Sequence, residues 1–338
     1  MKNNEIIVSR QNQLINKVIL INGFPGCGKT MLSPIIAAFK NVEIMQYPTL
    51  IEQICELDNI QSIDSDVAES MIKMNADLLL YNVMMGRQIN CRPSDLSSIF
   101  KNHPLKYIKR MLGPGDETIP RIIELKNPVL HLTTHMQLSS SGLLFRALGD
   151  NLNFIEVVRH PFYMLIQMEK NFKLFSSSRN QHITYTYKEK EYPYFARGWE
   201  KRFDKANSFE KAIYSLNQYY SILFSKDYHD KVEIFPFEKF VKSPEAFMNI
   251  ISDILDSEID KNVKKEMSKQ KVPRKFLNAG PSIEAYKKTG WIPPSESNER
   301  SELDVRRKFL SNNISEDALK CLDNISSVYE ETFLDNFE

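Results

Sequence analysis

A short glycine-rich segment between an apolar run and a helix-forming stretch constrains this chain more than any other feature. Residues 17–22 read Lys-Val-Ile-Leu-Ile-Asn, which is typical of a buried strand. The next eight residues are Gly23, Phe24, Pro25, Gly26, Cys27, Gly28, Lys29 and Thr30. They fit the pattern G-x-x-x-x-G-K-[ST], in which backbone N–H groups, a lysine and a helix N-terminus converge on phosphate oxygens. Three of the chain's 11 glycines fall in this segment, so we predict a phosphate-binding loop; a turn without a ligand is the alternative.

Strands and helices alternate along the rest of the chain. Further strands are predicted at residues 42–45, 129–133, 154–158 and 232–236. This alternation indicates an α/β fold with three layers, in which helices cover a central parallel sheet of about five strands. We read residues 1–338 as one domain, with a helical insertion at about 48–127 and a mobile loop at about 176–200.

Charge and composition exclude several classes of partner. The chain has 44 basic and 43 acidic residues, and this balance gives no general attraction to nucleic acid. No stretch approaches the ~20 apolar residues that span a bilayer, and no signal-peptide pattern is present. The four cysteines form no C-x-x-C pair, so we expect neither a metal site nor disulfides. We therefore expect a cytoplasmic protein without a membrane span; the sequence does not indicate its oligomeric state.

Two chemically active residues stand directly after predicted strands, where ligands bind in parallel sheets. His135 could act as a general base, and the planar guanidinium of Arg159 suits a phosphate or sulfate group. A hydrogen-bonded strand-end residue and a structural ion pair are the respective alternatives. Neither strand end supplies the aspartate that usually holds Mg²⁺ beside such a loop, which disfavours an ordinary ATPase or kinase. Asp64 and Asp66 are possible metal ligands, although both could instead cap the following helix.

Four stretches together resemble the PAPS-dependent sulfotransferases. Residues 127–135, which end in Thr-Thr-His, are similar to a family strand that ends in Lys-Thr-His. Residues 153–161 end in Arg-His-Pro and resemble the strand that ends in Arg-x-Pro. Residues 232–246 resemble a strand followed by the YEDLxxxP pattern, and residues 287–291 resemble a loop that closes on the donor's 3′-phosphate. The order of these motifs matches the family along residues 17–335.

The resemblance implies roles for individual residues. His135 would be the catalytic base, and the loop of residues 23–30 would bind the 5′-phosphosulfate of the donor. Lys29 and the loop N–H groups would stabilise charge on the departing phosphate. The residues that would hold the 3′-phosphate are Arg159, Gln167, Lys287 and Lys288.

The chain departs from the family pattern at the positions that bind the donor. The family loop reads Pro-Lys-Ser-Gly-Thr-Thr, and its lysine falls on Gly26 while its first threonine falls on Lys29. The lysine of Lys-Thr-His falls on Thr133, and an expected serine is Gln167. We expect Lys29 to replace the missing lysines.

The resulting hypothesis is sulfuryl transfer from PAPS to a hydroxyl acceptor, without a metal. The acceptor, a carbohydrate or other small molecule, would bind between residues 48–125 and 176–200. A weak indication of a carbohydrate or aromatic acceptor comes from Tyr185, Tyr187, Tyr192 and Tyr194. One alternative is a kinase that uses ATP with Mg²⁺ on a small molecule or sugar; another is a nucleotide-binding module without catalysis.

Overall fold

A parallel sheet forms the centre of the protein, as the alternation of strands and helices predicts. The structure is a computed structural model that describes residues 7–93, 95, 97–101, 103–113, 115–174, 180–277 and 299–334. Its strands are β1 (Val18–Gly23), β2 (Leu130–Thr133), β3 (Leu152–Val158), β4 (Thr184–Tyr187), β5 (Lys190–Pro193) and β6 (Val232–Pro236). The four strands of the central sheet run parallel in the order β2-β1-β3-β6. Every residue of β1 and β2 is buried, which explains their apolar runs.

The central sheet has four strands in the described residues, and the prediction of about five is wrong at residues 42–45. Only isolated parallel bridges form there, at Val42 and Gln46, beside β2. The N–H of Glu43 donates to the Val129 carbonyl at 3.0 Å, and the N–H of Gln46 donates to the His131 carbonyl at 2.9 Å. The two donors are three residues apart but their acceptors are only two apart, so one extra residue breaks the regular ladder that a fifth strand would need.

Helices account for most of the remaining described chain. They are α1 (Lys29–Ala37), α2 (Thr49–Asn59), α3 (Ser65–Met85), α4 (Pro104–Met111), α5 (Ile119–Lys126), α6 (Ser141–Leu148), α7 (Pro161–Leu174), α8 (Glu200–Lys205), α9 (Ser208–Ser225), α10 (Phe237–Lys242), α11 (Glu245–Leu255), α12 (Lys261–Lys269), α13 (Glu299–Ser311) and α14 (Glu316–Phe333). Four of them lie in residues 48–127, the stretch that the sequence predicts to be helical. Within the described ranges, none is long and apolar enough to cross a membrane.

A β-hairpin occupies much of the segment predicted to be a loop at residues 176–200. Strands β4 and β5 pair antiparallel, and the rings of Tyr185 and Tyr192 stack across them with centroids 5.9 Å apart. Cross-strand aromatic pairs of this kind stabilise a hairpin. The segment is polar and has no clear hydrophobic period, so its sequence did not predict this pairing. Residues 175–179 lie outside the described part of the chain.

Candidate functional site

The glycine-rich segment forms a tight loop between β1 and α1, and its conformation requires glycine at two positions. Gly26 and Gly28 have φ values of 91° and 103°, in the left-handed region that other residues rarely adopt. A Cβ at Gly28 would lie 2.3 Å from the Phe237 ring. Gly28 directly precedes the first residue of α1 and has no side chain to cap that helix, so the first helical turn faces this end of the loop.

The ammonium of Lys29 lies against the loop from which it projects. It donates to the carbonyl oxygens of Gly23 at 2.9 Å and Phe24 at 3.3 Å, and its side chain is buried. Thr30, the next residue, is exposed. Lys29 therefore places a positive charge at the loop, and such a charge can stabilise an oxyanion.

Arg159 reaches the same loop from the end of β3. Its Nη1 donates to the Gly26 carbonyl at 3.1 Å, so the guanidinium and the loop adjoin, as the hypothesis of a shared anionic ligand requires. Its Cζ lies 4.3 Å from the centroid of the Phe237 ring and 5.2 Å from that of Tyr163. These rings hold the guanidinium by cation–π contact. No sequence motif indicated Phe237, which contacts both Arg159 and the loop.

Of the other residues predicted to bind the donor, only Gln167 lies in the part of the chain that the structure describes. Gln167 is exposed on α7, eight residues after Arg159. Lys287 and Lys288 lie outside the described residues, as does Trp291. Binding of the donor by Gln167, Lys287 and Lys288 stays a prediction.

His135 opens onto a cavity of about 220 Å³. The cavity is lined by Tyr47, Thr49, Glu52, Gln53, Glu56, His135, Gln181 and His182. The N–H of Met136 donates to the Gly23 carbonyl at 3.4 Å, which keeps this turn after β2 next to the loop. The cavity thus lies beside the loop, between the helix α2 and the segment before β4.

A carboxylate fixes the tautomer of His135. Nδ1 of His135 lies 3.0 Å from Oε1 of Glu52, which also accepts the His135 N–H at 2.5 Å. Because a carboxylate accepts, Nδ1 carries the proton, and Nε2 of the neutral ring is left as the acceptor. Burial and then the nearby Lys29 charge lower the pKa of His135, although Glu52 opposes them. Neutral His135 can therefore act as a base at physiological pH.

A second histidine–carboxylate pair lies in the same cavity. Nδ1 of His182 is 2.5 Å from Oε1 of Glu56, and the Ile183 N–H donates to the other oxygen at 2.6 Å. Burial lowers the pKa of His182, but the hydrogen bond and charge of Glu56 outweigh it, so the net shift is upward. The two histidines of one cavity are thus shifted in opposite directions.

No sequence motif indicated either carboxylate or His182. Glu52 and Glu56 are four residues apart on α2 and so lie on the same helix face. A pair of glutamates at this spacing can indicate a functional helix face, but the same spacing is common on solvated faces. Only the fold brings Glu52 to His135 and Glu56 to His182.

A buried network links the ends of the central strands. The Asn22 amide donates to Glu156 at 2.5 Å, and the Tyr219 hydroxyl donates to the same carboxyl group at 2.6 Å. The Thr134 hydroxyl and the Gln137 N–H both donate to Asn22 Oδ1, so Asn22 fixes residues on both sides of the turn that carries the histidine. Burial raises the pKa of Glu156 to about 7.

We expect Glu52→Gln to lower the pKa of His135 further, because it removes the negative charge that favours the imidazolium. NMR titration of the histidine Cε1–H resonances measures this shift. The His103 resonance is an internal reference, since the charges that act most on it are those of Lys106, Glu43, Asp260 and Lys269. An unchanged or higher midpoint for His135 would contradict the assigned pair.

No protein-family model and no curated protein matches this chain. Several solved structures are similar to it. The sulfotransferase domain from the Synechococcus PCC 7002 olefin synthase has a TM-score of 0.39 and 13% identity, covering 89% of this chain and 97% of that one. The sulfotransferase domain from the curacin biosynthetic pathway has a TM-score of 0.39 and 15% identity, covering 89% and 99%. Sulfotransferase STF9 from Mycobacterium avium has a TM-score of 0.40 and 9% identity, covering 95% of this chain and 78% of that one.

Proposed function

We propose that the protein transfers a sulfuryl group from PAPS to a hydroxyl group of an acceptor bound in the cavity beside His135. One observation carries the proposal: Arg159 Nη1 lies 3.1 Å from the Gly26 carbonyl. An anion bound at the loop N–H groups would therefore lie near the Arg159 guanidinium. A donor with a 5′-phosphosulfate and a 3′-phosphate carries two anionic ends, which suits two adjacent cationic groups.

Each residue of the site has a task in this reaction. His135 Nε2 takes the proton of the acceptor hydroxyl, whose oxygen forms the new bond to sulfur. The bond between sulfur and the bridging oxygen breaks, and adenosine 3′,5′-bisphosphate leaves. Lys29 and the N–H groups of the loop stabilise the negative charge that develops on that oxygen. Glu52 keeps the imidazole in the tautomer with a free Nε2.

The lining of the cavity favours a polar acceptor. Glu52 can accept a hydrogen bond from a hydroxyl group, and the exposed ring of Tyr47 lies nearly parallel to that of His135, with 14° between the planes. Of the tyrosines first considered, Tyr192 and Tyr194 are buried. A carbohydrate or another polyhydroxyl small molecule is the acceptor class that these groups suit.

A kinase is the second candidate, because Lys29 occupies the position of the lysine that contacts ATP phosphates in loops of this pattern. Neither Asp64 nor Asp66, the two possible magnesium ligands, gives further support to the kinase. Asp66 accepts the Val8 N–H at 2.8 Å, and Asp64 is the N-cap residue of α3. A module that binds the nucleotide without catalysis is the third candidate.

Calorimetric titration separates the three candidates. We expect adenosine 3′,5′-bisphosphate to bind without a metal, and Arg159→Ala to weaken that binding at least about tenfold. Gln53→Ala in the cavity, away from the loop, is the matched control and should bind the bisphosphate normally. Preference for ATP with a strict need for Mg²⁺ would favour the kinase. Tight binding of the bisphosphate without turnover of any acceptor would favour the non-catalytic module.

A further inference from the structure

The short helix α4 is packed with its polar side inward. Tyr107 is buried, and its hydroxyl donates to Glu43 at 2.9 Å. Arg110 donates to both oxygens of Glu43 at 2.7 and 2.9 Å, and the Lys106 ammonium lies 3.1 Å from the same carboxylate. Glu43 itself is only 1% exposed. Ionic and hydrogen-bonded contacts with buried Glu43 therefore hold α4 against the rest of the protein.

The opposite side of α4 is apolar and faces solvent. Leu105 is 70% exposed and Leu112, which follows the last residue of the helix, is 83% exposed; Ile108 and Met111 are exposed too. At 100° per residue, Leu105, Ile108 and Leu112 fall on one side of the helix, opposite Tyr107. A surface helix of a globular protein normally buries its apolar stripe and exposes its polar one. In α4 this order is reversed.

The surroundings of this apolar side are basic. Lys109 is exposed on α4 between Ile108 and Arg110, and Lys101 is exposed just before the helix beside the exposed ring of Phe100. Residues 87–127 contain eight Lys and Arg against four Asp and Glu, but Lys106 and Arg110 face inward to Glu43, and Arg87 and Arg92 have acidic partners. The positive charge next to the exposed apolar side chains therefore comes from Lys101 and Lys109.

We propose that the outer side of α4 docks onto the surface of an anionic lipid bilayer. Leu105, Ile108 and Leu112 enter the boundary between headgroups and acyl chains, and Lys101 and Lys109 contact the anionic headgroups. Exposed leucines flanked by basic side chains are complementary to both parts of that boundary. The inference is independent of the reaction proposed above, since it uses no residue of the cavity or the loop.

Co-sedimentation of the full chain with vesicles tests the proposal. We expect binding to vesicles of phosphatidylcholine and phosphatidylserine in equal parts, at least about tenfold tighter than to phosphatidylcholine alone. Raising salt from about 0.1 M to about 1 M should weaken it, because the charge attraction is screened. Leu105→Glu with Leu112→Glu should reduce binding at least about tenfold. Both side chains are exposed, so the variant should keep the wild-type melting temperature.

Two further variants sharpen the result. Val305→Glu places the same charge on an exposed apolar position of α13 and should bind vesicles like the wild type. Lys109→Glu should lose only the preference for phosphatidylserine. Equal binding of the wild type and the Leu105→Glu/Leu112→Glu protein, or no binding by either, would overturn the proposal. A wild-type dimer that the same double substitution dissociates would also overturn it, because a second copy would then cover the helix.

Discussion

Turnover should fall by about 10²–10⁴-fold when His135 is replaced by alanine, the range that a positioned general base contributes. The reason is geometric: Glu52 holds Nδ1, and Nε2 is left to accept the proton of the acceptor. Binding of adenosine 3′,5′-bisphosphate should be unchanged, since the loop and Arg159 remain. The measurement is release of the bisphosphate from PAPS in the presence of phenolic, monosaccharide and alkyl alcohol acceptors.

His182→Ala is the matched control, because His182 lines the same cavity and is also paired with a glutamate. It should change the rate less than about tenfold, mainly through acceptor binding. Imidazole added to His135→Ala should restore part of the activity if the missing group is a base. Equal losses in both histidine variants would contradict the assignment of the base. A wild-type protein that turns over none of these acceptors would contradict the proposed reaction itself.

Gly28→Ala should lower the free energy of unfolding by about 3 kcal/mol, from two sources. The φ of 103° strains any residue with a Cβ, and that Cβ would lie 2.3 Å from the Phe237 ring. Because the same ring packs on Arg159, its displacement should also abolish detectable binding of the bisphosphate. Urea denaturation and calorimetry measure the two effects.

Gly198→Ala separates backbone strain from the steric clash. Gly198 has a φ of 90°, but a Cβ there meets no atom within 4 Å. This variant should therefore be more stable than Gly28→Ala by about 1–3 kcal/mol, the usual cost of overpacking, and should still bind the bisphosphate. Equal destabilisation of the two proteins would show that Phe237 moves aside without cost.

Local patterns were sufficient for the features whose causes are local. The run before Gly23 predicts β1 because strands buried on both faces are continuously apolar. The positions of His135 and Arg159 after strands follow from the same reasoning, and the structure brings both beside the loop. The assignment of PAPS as the donor, and the roles of Lys287 and Lys288, stay predictions.

Packing between distant segments decided the rest. Residues 42–45 have the composition of a strand, yet an extra residue between Glu43 and Gln46 limits their pairing with the segment around β2 to isolated bridges. Glu52 contacts His135, which lies 83 residues later in the chain. The ring that lies against Gly28 belongs to Phe237, which directly follows β6, the last strand of the central sheet. The sequence by itself determined the phosphate-loop pattern and the alternation of elements, since both arise from backbone conformation and side-chain polarity over a few residues. Only the tertiary structure decided which carboxylate orients the histidine and which helix shows its apolar side, because contacts of large sequence separation are set by how whole elements pack.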